Sequence, residues 1–166
     1  MEKTSFITKT IFSLTLAVAI LTTGCGNPAS SDDDHNEHTE PFGLVLVMNG
    51  ETVMEYFDGK VTGHLHVEEG GATPLVTVEF LNKEREHIHD EDLGDEYNLG
   101  WNIEDESILG IEQHAEDGRW SFHFQGKSVG ESRVQFQLMH GDHSDFETPA
   151  SNQENAIEIH VETQSS

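Results

Sequence analysis

Eleven histidines stand against eight Lys plus Arg in this chain of 166 residues, and their spacing matters more than their number. Neutral imidazole is a borderline ligand suited to zinc, copper and nickel, and a carboxylate can complete a zinc site. The densest group is Met139-His140-Gly141-Asp142-His143-Ser144-Asp145. Gly141 lies between His140 and His143, so a turn there can aim both rings at one ion. His123 sits among the alternating Trp120, Phe122 and Phe124; if those aromatics face a core, His123 faces outward. His114 precedes the turn Ala115-Glu116-Asp117-Gly118, and a hairpin there brings it close to His123. His140, His143, His123 and His114 are therefore the expected metal ligands. Zinc is the first expectation, with copper or nickel served by the same donors. Whether all four reach one ion depends on how the strands that carry them are arranged.

Two His-x-His pairs are expected auxiliaries. His64 and His66 flank Leu65 in a strand-like run, which places both rings on one face, about 7 Å apart at a rise of ~3.3 Å per residue. His87 and His89 flank Ile88 in an acidic segment from Asn82 to Glu96, read as a long loop acting as a flexible chelating arm.

Other chemistries lack their residues. No His-Glu-x-x-His, Gly-x-Ser-x-Gly, P-loop or dinucleotide fingerprint is present. No carboxylate stands in an apolar setting that would tune it for acid–base work. The expectation is a binding protein, not an enzyme. Calcium fits poorly, because no Asp-x-Asp-x-Asp-Gly ligand loop occurs and the histidines would be left without a role.

The formal net charge is −24. Such a surface repels nucleic acid, sets it aside as a partner, and concentrates cations. Lys3 and Lys9 precede an apolar run from Ile11 to Leu21, which is too short to span a bilayer but has signal-peptide length. The following Leu21-Thr22-Thr23-Gly24-Cys25 resembles the lipobox of bacterial lipoproteins, although Thr22 stands where a large aliphatic residue is usual. That resemblance implies cleavage after residue 24 and lipidation of Cys25, the chain's single cysteine, which rules out an internal disulfide. Residues 25–40 read as a disordered acidic tether, poor in apolar side chains. Within it, Ser31-Asp32-Asp33-Asp34 resembles the acidic export signal of some Bacteroidetes surface lipoproteins. The lipobox implies an envelope location with membrane contact through the anchor alone. Gly26 in place of an aspartate after Cys25 favours the outer membrane.

The elements that must position the histidines follow from residue 41 onward, where the pattern has period two. Leu44, Leu46 and Met48 alternate, Asn49-Gly50 interrupts, and Val53 to Phe57 resumes, which is the strongest short-range hairpin signal. Val61 to Val67 reads as a strand, then Val76-Val78-Phe80, Trp120-Phe122-Phe124, Val134-Phe136-Leu138 and Ile157-Ile159-Val161. No helical period appears. The fold class is all-β, a sandwich spanning 41–163. Gly100-Trp101, Asp105-Glu106-Ser107-Ile108-Leu109-Gly110-Ile111 and Gly126-Lys127-Ser128-Val129-Gly130-Glu131-Ser132 resemble bacterial immunoglobulin-like (group 2-like) domains of cell-surface proteins. That resemblance covers under half the chain. It implies an immunoglobulin-like antiparallel sandwich and hardly a function.

Two functions follow from these readings. One is an envelope lipoprotein that buffers a transition metal or delivers it to an envelope metal-transport protein. The other is a structural or adhesive immunoglobulin-like module whose histidines only decorate its surface.

Overall fold

The computed structural model describes residues 40–164. The expected signal peptide, Cys25 and the tether as far as Thr39 lie outside the described residues. In chain order the strands are β1 (Gly43–Met48), β2 (Glu51–Phe57), β3 (Lys60–Gly63), β4 (His66–Glu68), β5 (Val76–Leu81) and β6 (His87–Ile88). They continue with β7 (Tyr97–Ile103), β8 (Leu109–Glu112), β9 (Ser121–Gly126), β10 (Gly130–His140), β11 (His143–Glu147) and β12 (Ile157–Glu162). A single 3₁₀ turn, Asp90–Asp92, is the only helical element among the described residues.

The strands form two packed sheets, so the chain is an all-β sandwich. The first sheet runs β3-β2-β1-β5-β9-β8, with β6 also paired to β5. In the second, β10 pairs with β7 along one side. Along its other side, β12 takes the first half of β10 and β11 the second half. Beyond β12 lies β4, the one strand here that pairs in parallel.

Alternation explains which face each strand buries. Leu44 and Leu46, Val76, Val78 and Phe80, Phe122 and Phe124, Val134, Phe136 and Leu138, and Ile157, Ile159 and Val161 all point between the sheets and are buried. Phe122 of the first sheet packs against Phe136 of the second with ring centres 5.5 Å apart, and edge-on against Phe124 at 4.9 Å. Burying such a side chain stabilises by roughly 1.5–3 kcal/mol, so these rings do much to hold the sheets together. On the outer face of the first sheet, Val45, Phe57 and Leu81 form a smaller cluster with Phe42 and Val47, over which Arg85 stacks on the Phe57 ring.

The Asn49-Gly50 hairpin is present, with both residues at positive φ (56° and 81°), as a type I′ turn requires. Asp58-Gly59 repeats the device between β2 and β3, at 50° and 76°. Three features differ from the sequence expectation. The run Val61–Val67 is two strands in different sheets, not one. Gly63 has φ +92°, and a Cβ there would stand 2.1 Å from the Val53 carbonyl oxygen. Only glycine permits that bend, after which Leu65 plugs the core and β4 joins β12.

The segment Asn82–Glu96 is pinned along its length rather than being a loose arm. β6 pairs with β5, and Ile88 and Leu93 are buried. Arg119 donates to the Gly94 and Asp90 carbonyls, and both Arg119 and the Trp120 indole N–H bond the Asp90 carboxylate. Finally, His143–Glu147 forms a strand that the sequence pattern did not announce. Its Leu138–Phe146 register places Phe146 against Phe80.

Candidate metal centres

The β8–β9 hairpin builds the first group. Its register sets Glu112 opposite His123, and the connecting loop folds on itself. The His114 N–H donates to Asp117 Oδ2 at 3.1 Å, and the Asp117 N–H donates to the His114 carbonyl at 3.0 Å. Gly118, at φ +83°, lets the chain turn back toward β9. Gln113 Nε2 ties the loop to the Arg119 and Ser121 carbonyls. Phe122 and Phe124 face the core, so His123 lies on the opposite face, as the alternation predicts.

His123 Nδ1 is 2.9 Å from the Thr73 carbonyl oxygen. A carbonyl only accepts, so Nδ1 carries a proton, and in the neutral ring Nε2 keeps its lone pair. That lone pair lies 3.6 Å from Asp117 Oδ2. The His114 and His123 ring centres are 5.7 Å apart. One ligand atom from each of His114, Asp117 and His123 falls within 4.8 Å of the other two. Two ligands on a tetrahedral zinc, with bonds of ~2.0–2.1 Å, stand roughly 3.3 Å apart. The triad would close on an ion by contracting from within 4.8 Å to that spacing. Its Asp117 carboxylate is just 13% exposed, which limits competition from water.

The β10–β11 hairpin builds the second group. His140 and His143 are cross-strand partners closing the tight Gly141-Asp142 turn, and Gly141 sits at φ +62°. Asp145 lies between the two imidazoles: Oδ2 is 3.6 Å from His140 Nδ1, and Oδ1 is 3.1 Å from His143 Nε2. One ligand atom from each of His140, His143 and Asp145 lies within 4.8 Å of the other two. On the other side of β10, Tyr97 pairs with His140 in register and stacks on its ring at 4.6 Å. The Tyr97 hydroxyl donates to Asp145 Oδ2 at 3.0 Å. Burial first, then the bond to Asp145, raises the phenol above its ordinary value of 10.0, so it stays a donor. Tyr97, Leu138, His140 and Asp145 also line an open cleft of about 550 Å³. This site is the more exposed of the two.

The four histidines expected to share one ion thus separate into two triads, one on each sheet, because β9 and β10 belong to different layers. Each triad gains a carboxylate, Asp117 or Asp145, that counting imidazoles had left out. Neither auxiliary pair joins a three-ligand group among the described residues. The chain changes sheets at Gly63, leaving His64 exposed in the crossing while His66 opens β4 and lies 5.4 Å from the ring of His160. His160 carried no local signal in the sequence. His87 pairs with Glu79 on the neighbouring strand, and the His89 N–H bonds the Asp92 carboxylate at 3.3 Å. Among the described residues, His64, His66, His87 and His89 belong to no three-ligand group.

No protein-family model and no curated protein matches this sequence. Among solved structures, domains 4 and 5 of the S-layer protein SbsC align over 60% of this chain at 8% identity, with a TM-score of 0.39. The chain spans about half (47%) of that structure's length, and a likeness this slight assigns neither fold nor function.

Proposed function

We propose that this chain is a lipid-anchored envelope protein that binds a divalent transition metal, zinc first, to buffer it or pass it to an envelope metal-transport protein. The observation that carries the reading is the His123 imidazole. Its Nδ1 proton is committed to the Thr73 carbonyl, and its free Nε2 faces Asp117 with His114 alongside. Metal-bound histidines use this arrangement to hold ring and tautomer in place. Each triad offers two imidazoles and one carboxylate, leaving a fourth position on a tetrahedral ion open. An open position lets an incoming ligand enter before the old ones leave, which suits storage and delivery. The strongly negative surface raises the local cation concentration. The anchor is part of the proposal on the strength of the lipobox-like residues ending at Cys25.

Zinc titration of the full chain in detergent, followed by calorimetry, tests the reading. His114→Ala/His123→Ala and His140→Ala/His143→Ala should each remove one bound equivalent. Unchanged stoichiometry in both variants sinks it. The sandwich architecture favours a second reading, a structural or adhesive immunoglobulin-like surface module. That reading expects no stoichiometric metal and no change of melting temperature with a chelator.

A further inference from the structure

We infer a third cation site, on the outward face of the second sheet, that depends on neither hairpin triad. Strands β10, β12 and β4 lie side by side there. Their register sets Glu131 opposite His160 and His160 opposite His66, a row across three strands. Along β12, Ile159 and Val161 fill the core, so Glu158, His160 and Glu162 share the solvent face.

His160 stands between two carboxylates: its Nδ1 is 3.3 Å from Glu131 Oε1, and its Nε2 is 3.4 Å from Glu158 Oε1, so an ion would take one ring nitrogen. One ligand atom from each of Glu131, Glu158 and His160 lies within 4.8 Å of the other two. The His66 ring centre is 5.4 Å from that of His160, but its Nδ1 is paired with Glu162 Oε1 at 2.9 Å, so His66 borders the cluster without belonging to it. Arg133 donates to Glu158 Oε2 at 2.9 Å, occupying that oxygen and leaving Oε1 toward His160.

Two physical arguments favour a cation over a merely structural role. Exposed His–carboxylate pairs contribute little stability, so folding gains little from this row. A divalent ion, in contrast, takes up a His160 lone pair and neutralises the carboxylates together. The ligands also stand on paired strands rather than on a loop, so little reorganisation accompanies binding. The mixed imidazole–carboxylate set suits zinc among the divalent transition metals.

Zinc titration of the full chain in detergent tests this site separately from the hairpins. His66→Ala/His160→Ala should bind one equivalent fewer than the unmodified chain. The fourfold variant His114→Ala/His123→Ala/His140→Ala/His143→Ala should keep that equivalent, whatever becomes of the others. Glu158→Gln, which preserves shape, should weaken the site about tenfold, and it decides the matter if the double alanine variant loses its far-ultraviolet β signature. A double variant that folds and binds as many equivalents, equally tightly, overturns the inference; so does a fourfold variant that binds none.

Discussion

The Thr73 carbonyl, in the segment between β4 and β5, meets the His123 ring of β9 at 2.9 Å, and that contact sets which nitrogen of the neutral imidazole is free. Thr73 is itself held at both ends: its N–H donates to the Phe124 carbonyl at 3.0 Å, and its hydroxyl oxygen accepts from the Phe124 N–H at 3.0 Å. The residue acts on the site by positioning, since its own hydroxyl is taken up by the Phe124 N–H.

Thr73→Val should therefore show two effects. The buried Phe124 N–H loses its acceptor, costing about 1–3 kcal/mol in urea unfolding. Zinc binding at His114/Asp117/His123 should weaken about tenfold as the carbonyl loosens, read by titration in a His140→Ala/His143→Ala background. Unfolding that matches the parent chain would contradict the hydrogen-bond account.

Tyr97→Phe keeps the ring stacked on His140 but removes the donor to Asp145. In a His114→Ala/His123→Ala background, zinc affinity at the second triad should fall by about tenfold. Stability should drop by about 1 kcal/mol. Equal or tighter zinc binding would show that the hydroxyl competes with the metal instead of orienting its carboxylate.

Asp90 supplies the acid-sensitive link. Its bond to the Trp120 indole, against partial burial and aided by the bond and charge of Arg119, holds the carboxyl below its ordinary 3.8. A lowered native pKa means the unfolded chain takes up the proton first as pH falls. The contribution is then whole above about pH 3.8 and fades as pH drops through the native value. Asp90→Asn should cost about 1 kcal/mol at neutral pH, a figure kept small by solvent exposure. The gap should close in acid, as followed by Trp fluorescence on urea unfolding at both pH values. A gap that persists unchanged in acid refutes the linkage.

Gly63 and Gly50 make a controlled pair. A Cβ at Gly63 meets the Val53 carbonyl oxygen at 2.1 Å, whereas one at Gly50 meets nothing within 4 Å, and both residues have positive φ. Gly50→Ala should cost about 1 kcal/mol, the strain of φ alone. Gly63→Ala should cost more than about 3 kcal/mol, because the crossing between sheets must also shift. Equal losses in chemical denaturation would mean the bend tolerates a side chain.

The strands that could be read in advance were those with one wholly apolar face. Trp120-Phe122-Phe124, Val134-Phe136-Leu138 and Ile157-Ile159-Val161 announce their period because the alternate positions are buried. β11 stayed hidden because it is a mostly polar edge strand, and β4 because it is short and bonds a partner some ninety positions away in the chain. The sites divide the same way. His140 with His143, and His114 with His123, are brought together by hairpins, so local sequence points to them. His66 and His160 meet only through sheet register, which no local pattern encodes. The Thr73 contact uses a backbone carbonyl, an atom every residue has.

The parallel seam between β4 and β12, with Val67 beside Val161, joins an early part of the chain to a late one. The second layer cannot complete its order until the segment Ile157–Glu162 is available to lie between β10 and β4. A nascent or truncated chain lacking that segment would hold β4 and the first half of β10 as unpaired edges. Closure is therefore a late event, and slow in the way that contacts across long chain separations are slow.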